Sequence, residues 1–368
     1  MSKAKILVTG ATGGTGAALV SELLARDLPV RAVVHRRDAR SEALDRLGVE
    51  TVVADLYDPD QMFDVARGVQ RAYFLPVIRP YMIQSAVAFA LAAREARLEH
   101  VVQMSQWTSS RAHPATMTRQ TWLVDQLFAA IPGLGHTILN PGMFAHNFLR
   151  TIDLAALLGV YPVLSGAGRA APVSNEDIAR VAAVLLAEGP SKHAGGSYRP
   201  TGPRLLDGRE MAAIVEKAVG HKVRTIDLPI WMLGKVAQQQ RIDPFEISSL
   251  RHYMDDMKGG AFAFEGGVTD VVEALTGVPA ESFETTARRY AALPMARQTA
   301  GNRLKAVVNF ALTPLFPGYN FDNWDRQMGF PPAPTPTLSI DDERWRAEHA
   351  AQMAGHAAPP ALKLARAV

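Results

Sequence analysis

The chain of 368 residues contains no cysteine, and this absence excludes several chemistries. Without thiols there is no disulfide framework, no thiolate nucleophile and no cysteine-ligated metal. Long apolar runs are also missing, since stretches such as residues 306–316 are too short to cross a bilayer. No secretion signal is recognisable, and we therefore expect a cytoplasmic protein with no membrane span.

An excess of charge of one sign is missing as well. The 39 Lys and Arg residues nearly balance the 36 Asp and Glu residues, which leaves a formal net charge of +3. No basic block with interleaved aromatic side chains occurs, so we expect no nucleic-acid partner, and we predict no metal site. The 48% of hydrophobic residues is ordinary for a globular protein with a large core.

The most informative stretch that is present is a glycine-rich turn near the start. Residues 5–9 predict a short buried strand, and the apolar positions after residue 16 recur at helical spacing. The glycines follow G-x-x-G-x-x-G, one residue longer than the usual dinucleotide pattern. Because a helix start offers free N–H groups to a pyrophosphate, the turn predicts a cofactor site, the alternative being a loop that binds nothing. The residues assigned to it are Gly10, Thr12, Gly13, Gly14, Thr15 and Gly16.

The end of the second predicted strand indicates which dinucleotide is bound. A free ribose 2′-hydroxyl usually meets an Asp or Glu about 20 residues after the glycines. Here the sequence has His35, Arg36 and Arg37. A guanidinium suits a 2′-phosphate, so we expect NADP(H) to be preferred over NAD(H). The alternative is that these cations, with Arg40, merely cover a solvated helix start.

Strand-like and helix-like segments keep alternating along the chain, which predicts an α/β fold with a doubly wound parallel sheet. Ligands in such folds bind at the carboxyl ends of the strands. Asp55 is placed to accept a hydrogen bond from adenine, although a loop or helix cap is an equal alternative. The cofactor-binding residues predicted at these strand ends are Asp55, Leu56, Leu75, Pro76, Ser105, Asn140, Pro141 and Gly142.

Three motifs resemble the NmrA-like branch of the atypical short-chain dehydrogenases/reductases: residues 9–16 (TGATGGTG), 137–147 (TILNPGMFAHN) and 173–179 (VSNEDIA). The resemblance covers roughly residues 4–290. It implies a Rossmann-type NADP-binding domain with a smaller, partly helical substrate lobe. Members of the branch include NAD(P)H:quinone reductases, a triphenylmethane dye reductase and catalytically silent regulators.

With this resemblance we expect three regions. Residues 1–150 form the NAD(P)-binding domain, residues 151–295 complete the sheet and add a mainly helical substrate lobe, and residues 296–368 form a helical extension with a frayed tail from about Ala354. The extension is expected to pack on the domain or on a second subunit, giving a homodimer. A membrane-surface helix is the weaker alternative, because the stretch lacks the cationic face that would support it.

The chain departs from the branch where short-chain dehydrogenases carry a Tyr-x-x-x-Lys pair. Residues 113–125 contain neither Tyr nor Lys, and Thr121 and Asp125 stand where many relatives have Lys and Glu. Hydride transfer to a quinone-like or other conjugated aromatic acceptor does not need that pair. The alternative is a cofactor-binding redox sensor without turnover.

The acceptor site is predicted after the fifth and sixth strands. His113, His146 and Asn147 are candidate catalytic groups, because a histidine or an amide there could donate a proton or orient an oxygen. Trp107, Met143 and Phe144 are candidate substrate-binding residues, since aromatic and thioether groups stack on a flat substrate. The alternative for the histidines and these three residues is ordinary packing.

Overall fold

The computed structural model describes residues 3–354, and a seven-stranded parallel sheet forms its centre. The sheet order is β3-β2-β1-β4-β5-β6-β8. Because the chain runs outward from β1 to β3 and then returns to β4 on the other side, strand order reverses between β1 and β4. The strands are β1 (Ile6–Val8), β2 (Val30–Val34), β3 (Glu50–Val53), β4 (Arg71–Phe74), β5 (His100–Met104), β6 (Gly135–Leu139) and β8 (Ser197–Tyr198).

Helices cover both faces of this sheet, as its apolar strands require. Residues of β1 alternate between two clusters: Ile6 and Val8 pack on one side and Leu7 on the other. The helices of the first side are α1 (Gly14–Leu24), α2 (Ala39–Arg46) and α8 (Asn175–Glu188). Those of the second side are α3 (Pro59–Ala66), α4 (Met82–Glu95) and α5 (Thr116–Ala129). The predicted doubly wound α/β fold is confirmed.

A smaller lobe is built from segments inserted after β6. Its two-stranded parallel sheet pairs β7 (Val160–Val163) with β9 (Arg224–Asp227). The other elements up to residue 291 are α6 (Ala145–Leu149), α7 (Ile152–Leu158), α9 (Pro190–His193), α10 (Gly208–Val219), α11 (Ile230–Gln239), α12 (Pro244–Gly259), α13 (Val271–Thr276) and α14 (Phe283–Ala291).

The remaining described residues form three helices, α15 (Ala300–Leu312), α16 (Phe321–Met328) and α17 (Glu343–Met353). Asn320 begins α16 as its N-cap, because its side chain accepts a hydrogen bond from the Asn323 N–H. The frayed tail predicted from Ala354 lies outside the described residues, except for Ala354 itself, which ends α17.

Helix α17 is anchored deep in the body of the protein. Trp345 is 2% exposed, and its indole N–H donates a 3.0 Å hydrogen bond to the Trp107 carbonyl. The Trp107 ring lies against Trp345 on one side and beneath the Arg199 guanidinium, 3.5 Å from the ring centroid, on another. Burial lowers the pKa of Arg199 to about 9. Chain beyond the sheet domain therefore completes a core shared with it.

None of the helices in residues 3–354 combines the length and the hydropathy that a membrane crossing requires.

Candidate active site

The glycine-rich turn lies at the point where strand order reverses. Thr9, directly after β1, accepts a 2.8 Å hydrogen bond from the Leu75 N–H through its hydroxyl, which ties the turn to the end of β4. Gly10 has a φ of +66°, and a Cβ there would lie 2.7 Å from Leu75 Cδ2. Only glycine satisfies both the left-handed backbone and this close approach.

The other two glycines of the motif have different roles. A Cβ on Gly16 would lie 2.1 Å from the Gly10 carbonyl oxygen, so this glycine permits the packing of α1 on the turn. A Cβ on Gly13 would meet only that same oxygen, at 3.2 Å. Gly13 is exposed and faces the space where a ligand would approach.

The start of α1 is free to bind an anion. Its N-cap, Gly13, has no side chain to cap the first N–H groups, and no acidic residue lies in the first turn. Unpaired N–H groups and the positive end of the helix dipole therefore face outward. This is the geometry that the motif predicts for a pyrophosphate site.

A single cavity of about 550 Å³ extends from this helix start across the carboxyl ends of the strands. It joins many of the predicted site residues in one space, and its lining is mainly apolar. The predicted residues that line it are Gly13, Gly14, Thr15, Gly16, Leu75, Pro76, Ser105, Pro141, Gly142, Met143, Phe144, His146 and Asn147.

The segment that carries His146 and Asn147 is held by the chain before α8. The Val173 N–H donates to the Met143 carbonyl at 3.1 Å, and the Ala145 N–H donates to the Val173 carbonyl at 2.8 Å. His146 stacks on Phe144 with ring centroids 5.3 Å apart. Two walls of the cavity are thus fixed relative to each other by backbone hydrogen bonds.

His146 is a neutral imidazole at ordinary pH. Burial lowers its pKa to about 4, the charge of Arg150 acts in the same direction, and a hydrogen bond with Asn175 opposes both. Its Nδ1 is buried without a hydrogen-bond partner among residues 3–354. The side chain can orient a bound molecule by hydrogen bonding, but it does not carry a proton as an imidazolium.

Ser105 brings a hydroxyl to the cavity and connects it to a buried acid. Its Oγ donates a 2.9 Å hydrogen bond to Asp125, which also accepts from Ser109 at 2.7 Å and from the Gln103 amide at 2.6 Å. Burial raises the pKa of Asp125 to about 7, although these three hydrogen bonds oppose the shift. The carboxyl can therefore hold or release a proton near neutral pH.

The cations at the end of β2 are not equivalent. Arg37 is committed to the fold, since it pairs with Asp45 and donates a 2.8 Å hydrogen bond to the Thr51 carbonyl. Arg36 has a 75% exposed side chain whose one ion pair, with Asp38, is 3.9 Å long. Asp38 caps α2 and pairs with Arg40, and its pKa falls to about 2 mainly through Arg40. Arg36 is thus the arginine free to move toward a ligand.

The structure places His113 and Trp107 away from the cavity. His113 is fully buried, accepts from the Ala115 N–H at Nδ1 and donates from Nε2 to Asp256 at 2.8 Å. Trp107 is 0% exposed, and its indole N–H donates to the Ala261 carbonyl. Both side chains have their polar atoms satisfied inside the core, so the structure gives them packing roles.

Eight of the predicted cofactor-binding residues also lie outside the cavity lining, namely Gly10, Thr12, His35, Arg36, Arg37, Asp55, Leu56 and Asn140. Asn140 exchanges two hydrogen bonds with Gln352 of α17, at 2.8 Å and 3.1 Å. Asp55 accepts from the Tyr57 N–H at 3.0 Å, which is the loop alternative. Leu56 packs in the core cluster beneath α3.

Several cavity residues were missed by sequence reasoning. Asn175 accepts a 3.1 Å hydrogen bond from the Thr15 hydroxyl, and its amide would lie 2.8 Å from a Cβ on Gly14. Its neighbour Ser174 caps α8 by accepting a 3.0 Å hydrogen bond from the Asp177 N–H. The lobe contributes further lining residues that no motif indicated, namely Arg150, Glu246, Leu250, Tyr253 and Tyr290.

Sheet order, glycine turn and cavity together define the Rossmann class of α/β proteins. More closely, the chain belongs to the NmrA-like family, whose model matches residues 2–282. The family assignment made from the motifs is confirmed. Residues from 283 onward, including α15 to α17, lie outside the matched segment.

Individual relatives agree with this assignment. The NAD(P)H azoreductase of Xenophilus azovorans is 29% identical over 289 residues, which cover 78% of this chain and 98% of the relative. The fold is similar to that of the NADPH-dependent quinone oxidoreductase of Escherichia coli solved with NADPH, with a TM-score of 0.65, 21% identity and coverage of 77% and 99%. It is also similar to NmrA, a negative transcriptional regulator solved with NAD, with a TM-score of 0.63, 19% identity and coverage of 78% and 95%.

Proposed function

We propose that this protein is an NADPH-dependent reductase that transfers hydride to a quinone-like or other conjugated aromatic acceptor. The observation that carries the proposal is the single cavity, which joins a phosphate-type site at the start of α1 to an apolar, aromatic pocket. A cofactor and a flat acceptor can occupy one such space in contact. The names of the azoreductase and the quinone oxidoreductase support the same reaction class.

The cofactor end of the cavity fits a dinucleotide. The exposed face of Gly13 leaves room for a pyrophosphate, and the uncapped N–H groups of α1 are available to bind it. Leu75 and Pro76, at the end of β4, supply an apolar wall beside this site. These residues and the Thr15–Asn175 pair would hold the cofactor.

The acceptor end is lined by soft and aromatic side chains from both the sheet and the lobe. Met104 lies at the end of β5 and Met143 in the segment between β6 and α6, and Phe144, Tyr253 and Tyr290 line the same cavity. Thioether and aromatic groups bind flat apolar molecules without requiring one shape. This lining supports an aromatic acceptor rather than a small polar one.

The bound nicotinamide would supply the hydride, and this chain would supply binding, orientation and a proton. No Tyr-x-x-x-Lys pair occurs on α5, where Thr121 and Asp125 stand instead. Ser105, directly after β5, lines the cavity, and its hydroxyl donates a 2.9 Å hydrogen bond to Asp125. Neutral His146 and the Asn147 amide are placed to orient the acceptor by hydrogen bonding.

A preference for NADP(H) over NAD(H) is part of the proposal. Arg36, whose side chain is exposed and weakly paired, lies beyond β2 with His35 next to it. Asp38 is the nearby acid that could have met a ribose hydroxyl, but its oxygens accept from the Arg40 and Ser41 N–H groups. A mobile guanidinium is therefore the group available to a 2′-phosphate.

A second candidate function is a cofactor-binding redox sensor without turnover. The missing Tyr-x-x-x-Lys pair favours it, and the fold of a transcriptional regulator solved with NAD is similar. One experiment separates the two functions: NADPH oxidation is followed against quinones, dyes and enones while tryptophan fluorescence reports cofactor binding. Turnover with part of the panel supports the reductase, whereas tight NADPH binding without any oxidation would favour the sensor.

A further inference from the structure

Helix α15 exposes an apolar surface that the other residues of the described range 3–354 do not cover. Eight of the eighteen large hydrophobic side chains that are exposed in residues 3–354 lie between residues 293 and 315. Leu304 is 66% exposed and Leu315 is 76% exposed, which is unusual for side chains of this size. A contiguous apolar patch of this kind usually marks an interaction site.

The apolar side chains of α15 share one face, and that face points away from the body. Ala306 is the buried residue of the helix, at 4% exposure. At about 100° per residue, Leu304, Val308 and Leu312 lie on the side opposite Ala306. Val307 borders the same stripe. The helix thus packs on the protein through its narrow small-residue side and presents its large apolar side to solvent.

Two cations lie at the margins of this stripe. Arg303 and Lys305, both exposed, are each about 100° around the helix from Leu304, in opposite directions. The sequence has no Asp or Glu between Glu284 and Asp322, whereas it has five Arg and Lys residues there. One acidic residue of another helix, Asp153 of α7, lies near Lys305. Burial raises the pKa of Asp153, and the positive charge of Lys305 opposes this shift.

Helix α11 extends the surface. Two hydrogen bonds hold α11 against the end of α15. Lys235 Nζ donates to the Pro314 carbonyl at 2.7 Å, and the Gln239 amide donates to the Asn309 carbonyl at 3.0 Å. Trp231 of α11 is 59% exposed. Its ring centroid is 6.0 Å from the Lys235 Nζ that bonds to Pro314, so the indole lies near the end of α15. An indole beside an apolar surface is typical of groups that lie at a lipid headgroup boundary.

We propose that the α11/α15 face, formed by Trp231, Leu304, Val307, Val308, Leu312 and Leu315, docks on the surface of an anionic lipid bilayer. The apolar stripe enters the boundary between headgroups and acyl chains, while Arg303 and Lys305 reach outward to lipid phosphates. The cations flank the apolar stripe and do not form a separate face. For this reason a membrane-surface helix was the weaker alternative from the sequence alone.

A second copy of the chain is the competing occupant, and the charge pattern disfavours it. A two-fold contact through α15 would bring the cations of both copies to an interface whose own segment holds no carboxylate. An anionic lipid surface neutralises the same cations. The proposal does not depend on the reductase function, because none of these six residues lines the cavity.

The test is co-sedimentation of the full chain with phosphatidylcholine vesicles, with and without phosphatidylglycerol. We expect binding to the anionic vesicles, lowered about tenfold or more by Leu304→Ser combined with Leu315→Ser. The matched control is Leu123→Ser combined with Val278→Ser, which changes apolar residues of 49% and 48% exposure elsewhere and should leave binding intact. Arg303→Gln with Lys305→Gln should weaken binding to anionic vesicles selectively.

Two outcomes would overturn the proposal. One is a dimer in analytical ultracentrifugation that the Leu304→Ser, Leu315→Ser variant converts to a monomer, with no vesicle binding by the parent protein. The other is a monomer that stays in the supernatant with every vesicle. Circular dichroism of the variants shows that they are folded, since all four leucine and valine positions are on the surface.

Discussion

The Ser105 hydroxyl, which faces the cavity, donates a 2.9 Å hydrogen bond to the fully buried carboxyl of Asp125. Gln103 donates to the other carboxyl oxygen at 2.6 Å and accepts from His136 at 2.9 Å. No cation pairs with Asp125 among the described residues, so its charge is stabilised by neutral donors alone. The network thus joins Ser105, directly after β5, to a buried acid that titrates near neutral pH.

We predict that Asp125 makes the protein less stable as the pH rises from about 4 to about 7. Burial raises its folded-state pKa to about 7, so in this range the unfolded chain has released a proton that the folded chain still holds. Asp125→Asn should remove this loss. The test is urea unfolding of the parent protein and of Asp125→Asn at several pH values. The buried histidines titrate in both proteins, so their contribution cancels in the difference between the two free energies of unfolding. A difference in stability that does not change with pH would contradict the prediction.

The glycine turn should respond differently at its two ends. Gly13→Val places a branched side chain in the space proposed for the pyrophosphate, so NADPH affinity should collapse while the thermal unfolding curve stays close to that of the parent. Gly16→Ala should instead destabilise the fold by about 1–3 kcal/mol or more, because its Cβ would lie 2.1 Å from the Gly10 oxygen. Fluorescence titration and calorimetry measure the two effects, and unchanged NADPH binding by folded Gly13→Val would refute the site.

Cofactor choice should depend on Arg36 and not on Arg37. NADPH should bind at least about tenfold more tightly than NADH, equivalent to about 1.4 kcal/mol. Arg36→Asp should reverse the preference, since Arg36 is exposed and weakly paired. Arg37→Gln is the matched control: it loses the Asp45 and Thr51 contacts, so it should lower stability and keep the preference. Equal affinities in the parent protein would refute the NADP preference.

Replacing His146 and Asn147 by Ala should lower kcat/KM toward a quinone by about 10²-fold without weakening NADPH binding. Both residues line the cavity, and neither belongs to the glycine turn that is proposed to hold the pyrophosphate. The control is His113→Ala, which leaves the buried Asp256 with fewer partners. It should destabilise the protein by about 3–5 kcal/mol while the folded fraction keeps its kcat/KM. The opposite pattern would make His113 the functional histidine.

The extension should contribute to the stability of the whole protein. Trp345→Ala removes a 2% exposed indole and should cost about 3–5 kcal/mol. Trp231→Ala, at 59% exposure, should change the free energy of unfolding by no more than about 0.5 kcal/mol. Chemical denaturation of the two variants provides the comparison. Independent melting of residues beyond 296 at a lower temperature would contradict a shared core.

The sequence by itself determined the fold class and the position of the glycine-rich turn that lines one end of the cavity. Alternating apolar runs and amphipathic segments predicted the parallel sheet, and Gly10, Gly13 and Gly16 located the turn at its switch point. These signals are local: hydrophobic periodicity and glycine spacing act over a few residues, so they survive without knowledge of the tertiary fold.

Tertiary structure alone decided which polar and aromatic side chains face the cavity. His113 and His146 both follow strands of the sheet and were both candidate catalytic groups, yet one is buried against Asp256 and the other lines the cavity beside Phe144. Asn175, Tyr253 and Trp345 hydrogen-bond to residues that follow strands β1 and β5. They come from segments far away in sequence, so no local pattern reveals these contacts. Long-range packing selects one partner for each side chain from many that the sequence permits.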